Sequence, residues 1–193
     1  MKGNFVYNSI ESDEFLIERV KNGDCESFNP LVERYKMPLY KIMYRMVYNR
    51  DDAEDLVEEA FIKAFRAISK FEIGRPFYAW ICRIAVNNAI NYLKKERRGQ
   101  VQPIEFFEHS LAAKKGNPVE MTKQKVLQER ITAAMAKLPD DYRTIIVLKV
   151  EEDFSYDEIS KILKIPKGTV MSRLARARQK LKGIFKEIGV QNK

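Results

Sequence analysis

Apolar residues along this chain recur at helical spacing, three or four apart, almost throughout. The pattern covers residues 12–22, 27–48, 51–70 and 76–98, then resumes over 121–137, 140–152, 155–163 and 167–187. Strand-like alternation is almost absent. Between the two sets, Arg98 to Glu120 holds Gly99, Pro103, Gly116 and Pro118 and keeps no period, which reads as a flexible or extended connector. The pattern predicts an all-α protein of two small helical domains, residues 1–98 and 121–193, joined by a flexible linker at 99–120. There is no internal repeat and no low-complexity tract.

The most informative segment runs from Ser155 to Lys182. Ser155 with Glu158 three residues on forms a capping box, and Ile159, Ile162 and Leu163 follow at core spacing. Ile165-Pro166-Lys167-Gly168 stops that short helix and lets a second one start near Lys167. This is the outline of a helix-turn-helix, whose second helix enters the DNA major groove. At about 100° per residue, Val170, Leu174, Ala177 and Leu181 share one face and pack inward. Ser172, Ala175, Arg176 and Gln179 point the opposite way, with Met171 and Lys182 close by. Arg173 and Arg178 lie on the flanks, placed to meet phosphates, while Arg176 is able to make a bidentate contact to guanine. Lys167 and Thr169, where the helix begins, are counted with this DNA-binding set. The alternative is an ordinary amphipathic helix with solvated charges.

Charge supports the DNA reading through its location. Of the net +8, residues 1–97 contribute +1 (16 Lys+Arg, 15 Asp+Glu), residues 98–122 nothing (three of each) and residues 123–193 +7 (16 against 9). From Lys164 to Lys186 there are eight cations and no anion, which points to a polyanionic partner. A basic helix also suits a membrane surface, but here the apolar face is claimed by the core. No apolar run approaches the ~20 residues that span a bilayer, so no direct membrane insertion is expected. The opening MKGNFVYNSIESDEF lacks the apolar core of a signal peptide, which predicts a cytoplasmic location. Cys25, Cys82 and the single His109 cannot build a metal site at any ordinary spacing. Cys82 reads as a small buried hydrophobe. There is no glycine-rich phosphate loop, nucleophile elbow or general-base constellation, so no enzyme activity, cofactor or small-molecule substrate is expected.

Two features of the first domain need their own explanation. In RDDAEDLVEEAFIKAFRAI, Ala53, Leu56, Val57, Ala60, Phe61, Ala64, Phe65 and Ile68 form a core face. The other face carries Asp51, Asp52, Glu54, Asp55, Glu58 and Glu59, six acids within nine residues. Helix-dipole stabilisation accounts for acids in the first turn only. Beyond it, Asp55, Glu58 and Glu59 repel one another at helical spacing, so a partner-docking patch is expected, against the alternative of a solvated face. In FEIGRPFYAWICRIAVNNAINYLKKERR, Ile81, Ala85, Asn88 and Tyr92 fall on one side, flanked by Phe77 and Ile84. Trp80, Arg83, Asn87, Asn91 and Lys94 line another, and Lys95, Arg97 and Arg98 continue the positive charge. Aromatic, amide and cation in one stripe suit single-stranded nucleic acid: rings stack on bases, amides read their edges and cations hold phosphate. Trp80 as a core plug remains the alternative for that residue.

These segments in this order resemble an extracytoplasmic-function (ECF) RNA polymerase sigma factor, the small group of the sigma-70 superfamily. The matching stretches are DAEDLVEEAFIKAF, FYAWICRIAVNNAINYL, LPDDYRTIIVLK and SYDEISKILKIPKGTVMSRLARAR, and the resemblance spans about residues 12–187. It implies a domain for regions 1.2 to 2.4, a linker without a third domain, and a region 4 domain. It implies core-polymerase docking through Asp52, Glu54, Asp55, Glu58 and Glu59. It implies reading of the promoter −10 strand by the helix bearing Asn87 and by the preceding loop, Phe71 to Phe77, which includes Arg75 and which in relatives helps hold a flipped-out base. It also implies reading of −35 duplex by Met171, Ser172, Ala175 and Arg176. Position 171 is often Arg or Lys in the family; Met offers an apolar contact and no guanine donor. An anti-sigma factor partner and a role in stress response are further expectations. Two other classes stay open on residues alone: a dimeric helix-turn-helix regulator with an N-terminal interaction domain, and an adaptor that binds only protein.

Overall fold

The computed structural model describes residues 11–99 and 123–187. The expected linker therefore lies, but for Gly99, outside the described residues, as do the first ten residues and His109. Among the described residues every regular element is helical.

Helix α1 (Asp13–Lys21) begins where the Ser12 side chain accepts a hydrogen bond from the Phe15 amide, and it buries Leu16, Ile17 and Val20. A short 3₁₀ turn (Cys25–Phe28) leads into α2 (Asn29–Val47), which has Pro near its start, where a missing N–H costs nothing. Tyr48 closes α2 in the left-handed conformation (φ 55°). The Asn49 side chain then accepts from the amides of Asp51 and Asp52 and launches α3 (Arg50–Ala67). The inward face of α3 holds the residues expected from periodicity except Phe65, with Ala53, Ala60 and Ala64 fully buried; Phe65, at the edge of that face, is 37% exposed and only meets Phe28 edge-on. These alanines let α3 lie close against α2 and α4 (Phe77–Gly99).

The remaining helices are α5 (Lys123–Ala136), α6 (Asp140–Ile146), α7 (Tyr156–Leu163) and α8 (Lys167–Glu187). Helix α6 runs on into a π-helical turn at Val147–Glu151, so Ile145 to Leu148 stay buried as the chain bends toward α7. The capping box at Ser155 is present in both halves: the hydroxyl accepts from the Glu158 amide and the Glu158 carboxylate accepts from the Ser155 amide at 2.8 Å. Helix α7 ends at Lys164 in the left-handed conformation (φ 54°), and α8 follows after Pro166.

The cores of the two halves form one continuous apolar cluster. Helix α7 lies along α4, and α6 with its π turn touches α2. The hydrophobic periodicity of either half by itself does not foretell this docking.

Candidate nucleic-acid and partner interfaces

On α8 the inward residues Val170, Leu174 and Ala177 are buried, which turns the opposite face to solvent. Met171, Ser172, Ala175, Arg176 and Gln179 are all exposed on it. The Ser172 hydroxyl donates to the Thr169 carbonyl at 3.1 Å, leaving its oxygen lone pairs outward, and Thr169 itself is half-buried. Lys167 pairs with Asp157 on α7 at 2.8 Å. Arg173 is half-buried and pairs with Asp141 on α6 at 3.3 Å. Two of the expected DNA cations are thus partly engaged in fixing α8 to its own domain. Arg176 and Arg178 are exposed and, among the described residues, form no ion pair.

On α4 the expected stripe divides. Arg83, Asn91, Lys94 and Lys95 are exposed, and Asn87 is half-buried. The Asn87 amide nitrogen donates to the Arg83 carbonyl one turn back, at 2.7 Å, which fixes the side chain on the helix surface. Trp80 is half-buried, with its ring edge-on to Phe71 (centroids 5.0 Å apart) and tilted against Phe77 (5.7 Å). Both alternatives for Trp80 therefore have a structural counterpart: one side packs, the other meets solvent.

Phe71 and Phe77, assigned above to the DNA-reading loop, are buried at 3% and 2% exposure. Each closes one end of the loop by entering an aromatic cluster with Phe28 and Trp80. Burying a ring of this size is worth roughly 2–3 kcal/mol, so the two rings pin the loop. The residues between them, Glu72 to Pro76, are the ones exposed. Gly74 stands there at φ +87°, a conformation that other residues rarely adopt. Arg75 donates to Glu72 at 2.5 Å within the same loop.

Beside this loop lies an open cavity of about 390 Å³, lined by Asp13, Arg34, Tyr35, Arg75, Pro76 and Phe77 among others. Asp13 accepts from both Arg34 and Tyr35. Burial, then the hydrogen bond and charge of Asp13, push the Tyr35 hydroxyl up to about 12, so it stays a proton donor. Sequence reasoning did not pick out these three residues. Asp13 stands more than 20 positions from the neighbouring Arg34 and Tyr35 along the chain, and only the packing of α1 on α2 unites them.

The acidic face of α3 is not uniform. Asp52 is half-buried and hydrogen-bonds Tyr92; burial and this carboxylate raise the Tyr92 hydroxyl well above its ordinary range. Glu59 pairs with Lys63 at 2.7 Å, and Lys63 also donates to the buried Asn88 at 2.7 Å. Glu54, Asp55 and Glu58 are exposed and, among the described residues, form no ion pair. Glu54 and Glu58 also rim a shallow groove of about 290 Å³ with Lys36, Met37, Tyr40 and Val57, and Met37 there is 57% exposed. Among the described residues no cluster of His, Cys, Asp or Glu is arranged to hold a metal. No described helix is long and apolar enough to cross a membrane. Cys82 is fully buried, and burial pushes its thiol well above the ordinary range, as expected of a core residue.

Two family models match the chain: Sigma-70 region 2 over residues 31–99, and Sigma-70, region 4 over residues 128–181. A helical module with an acidic face and a basic stripe, followed by a basic helix-turn-helix, is thus a two-region subunit of the sigma-70 type. The chain is 40% identical over 175 residues to the ECF RNA polymerase sigma-E factor of Escherichia coli (strain K12), covering 87% of this chain and 91% of that one. It is 35% identical over 184 residues to the ECF RNA polymerase sigma factor SigW of Bacillus subtilis (strain 168), covering 89% and 96%. In fold it is similar to CnrH, solved in complex with the cytosolic domain of CnrY, with a TM-score of 0.65 at 23% identity over 92% of this chain and 99% of that one. The chain belongs to the ECF sigma factors of the sigma-70 family. It directs RNA polymerase to specific promoters for transcription initiation and is not an enzyme.

Proposed function

We propose that the three surfaces divide the work of initiation. Glu54, Asp55 and Glu58, with the groove around Met37, dock on a basic surface of core polymerase. Asp52 and Glu59 support that patch from within, one tied to Tyr92 and the other to Lys63. Asn87, Arg83, Asn91 and the exposed part of Trp80 take the unpaired −10 strand, with Lys94 and Lys95 on its phosphates. The loop Glu72–Pro76, held by Phe71 and Phe77, captures one flipped base, which offsets a few kcal/mol of unstacking. Met171, Ser172, Ala175, Arg176 and Gln179 read −35 duplex, and Lys167, Thr169 and Arg173 set the helix on the backbone. Such a protein works in the cytoplasm. The relative sigma factor RpoE of Bartonella quintana was solved with the anti-sigma factor NepR, and we expect this chain to be restrained by a partner of that kind.

The observation that carries this reading is the separation of charge: exposed acids on α3, and an amide-and-cation stripe on α4 of the same domain. A regulator that binds only duplex DNA has use for neither. The test is run-off transcription with core polymerase on a promoter library. A product that depends on this chain and on both promoter elements is expected. Palindromic duplex binding without polymerase would instead establish the regulator reading.

A further inference from the structure

The first turns of α8 present a face unlike the rest of that helix. Eight cations lie between Lys164 and Lys186, yet Met171 stands on the outward face, apolar and 51% exposed. It lies in the N-terminal part of the helix, the part that meets base edges in a helix-turn-helix. Its helical neighbours leave it clear. Gly168, three residues before, has open space where a side chain would be, and Ala175, four residues on, offers only a methyl. Leu174 is turned inward and buried. The nearest cations are held to the sides, Lys167 by Asp157 at 2.8 Å and Arg173 by Asp141 at 3.3 Å. Met171 thus neither fills the core nor is covered by a longer side chain.

Ser172, next to it, is chemically one-sided. Its hydroxyl donates to the Thr169 carbonyl at 3.1 Å, and a hydroxyl has one proton to give. With that proton committed, the exposed oxygen is an acceptor only. In the major groove the base-edge donors are the adenine N6 and cytosine N4 amino groups, whereas guanine and thymine offer acceptors. Thymine alone carries a methyl group there, and it is paired with adenine.

Resting on the −35 reading proposed above, we infer that this end of α8 selects A·T over G·C where it meets the groove. Met171, with the Ala175 methyl beside it, packs on the thymine C5-methyl. Ser172 accepts from the adenine N6 amino group. A G·C pair offers the serine a cytosine amino group but offers the methionine no methyl. Arg176 lies four residues beyond Ser172, about 6 Å along the axis at 1.5 Å per residue. At ~3.4 Å per base pair, the A·T site therefore falls within about two pairs of the guanine assigned to Arg176.

The test uses holoenzyme made from the full chain and core polymerase, on a promoter selected from a library and then altered one base at a time. Uracil in place of thymine removes only the C5-methyl. 2-Aminopurine in place of adenine takes the amino group out of the major groove. Uracil at one −35 position, within about two pairs of the guanine that depends on Arg176, should weaken binding about fourfold, the worth of one buried methyl. Met171→Ala should abolish that sensitivity, and Ser172→Ala should abolish the sensitivity to 2-aminopurine while keeping the one to uracil. Both side chains are exposed, so neither substitution should lower the melting temperature. Uracil tolerated at every −35 thymine, or a methyl effect that survives Met171→Ala, overturns the inference. A 2-aminopurine effect that survives Ser172→Ala overturns the serine's part in it. Binding indifferent to every −35 base pair overturns the −35 reading itself, and this inference with it.

Discussion

Reversing the charge at Asp55 is the sharpest probe of the docking assignment, because its effects on fold and on binding have opposite signs. Asp55 is exposed on α3 and lies one turn from Asp51 and Asp52 on one side and from Glu58 and Glu59 on the other. In the native helix these are like-charge neighbours. With Asp55→Lys they become opposite-charge pairs, each worth about 0.2–0.5 kcal/mol. The position is beyond the first turn, so little dipole stabilisation is lost. The fold should gain up to about 1 kcal/mol, an unchanged or slightly raised melting temperature for a domain of this size. Binding should move the other way. A charge pair about 4 Å apart near a protein surface attracts by up to ~4 kcal/mol before desolvation, and close interfacial pairs have coupling energies of about 1.5–7 kcal/mol. Reversal replaces attraction by repulsion, so core polymerase affinity should fall at least tenfold, and the residual binding should depend less on salt. Fluorescence anisotropy of chain labelled at Cys25 measures the affinity, and circular dichroism the melting. An unchanged Kd with an unchanged melting temperature would refute the assignment. A lower melting temperature would show that the helix reasoning itself is wrong.

Three further outcomes follow from the same surfaces. Arg176→Ala should cost about 1–3 kcal/mol at one −35 position only, measured by binding to duplexes substituted base by base; an equal loss at every position would make Arg176 a phosphate contact. Asn88→Leu should stabilise the first domain by about 1 kcal/mol in thermal melts, because the buried amide nitrogen of Asn88 has no partner and Lys63 keeps Glu59 when the amide oxygen is gone. Destabilisation would show that the amide is worth more than its unpaired nitrogen costs. With a thiol reagent at neutral pH, Cys25 should react at once and Cys82 only on unfolding; equal rates would contradict the burial and the raised thiol pKa of Cys82.

Much of this molecule is legible in local pattern. The inward faces of α3 and α8 are read from three-four spacing alone, and Ser155 with Glu158 announces α7 before any fold is known. The outward face of α8 follows as the complement of Val170, Leu174 and Ala177. What stays hidden depends on distant packing. Phe71 and Phe77 flank a glycine-containing loop, so sequence places them near solvent, yet a cluster with Phe28 and Trp80 draws both inward. Asp13, Arg34 and Tyr35 carry no shared signal until α1 meets α2. Arg143 looks like a surface cation of an amphipathic helix. Its burial follows from a carbonyl at Ala136, the Asp140 carboxylate and the ring of Tyr48, no one of which is a sequence motif.

Helix α4 leaves little surface without a task. Of its 23 residues, one stripe belongs to the first domain's core, a second to the docked domain and a third to the amides and cations of the outward face. On α3 an exchange on the solvent side disturbs only charge. On α4 an exchange anywhere along most of the length meets a neighbour of some kind. On the proposed reading of the −10 strand, variation among promoters of different sequence is therefore most easily accommodated in the short loop before α4, between the two anchoring phenylalanines. There a side chain can change without altering either the helix or what it holds.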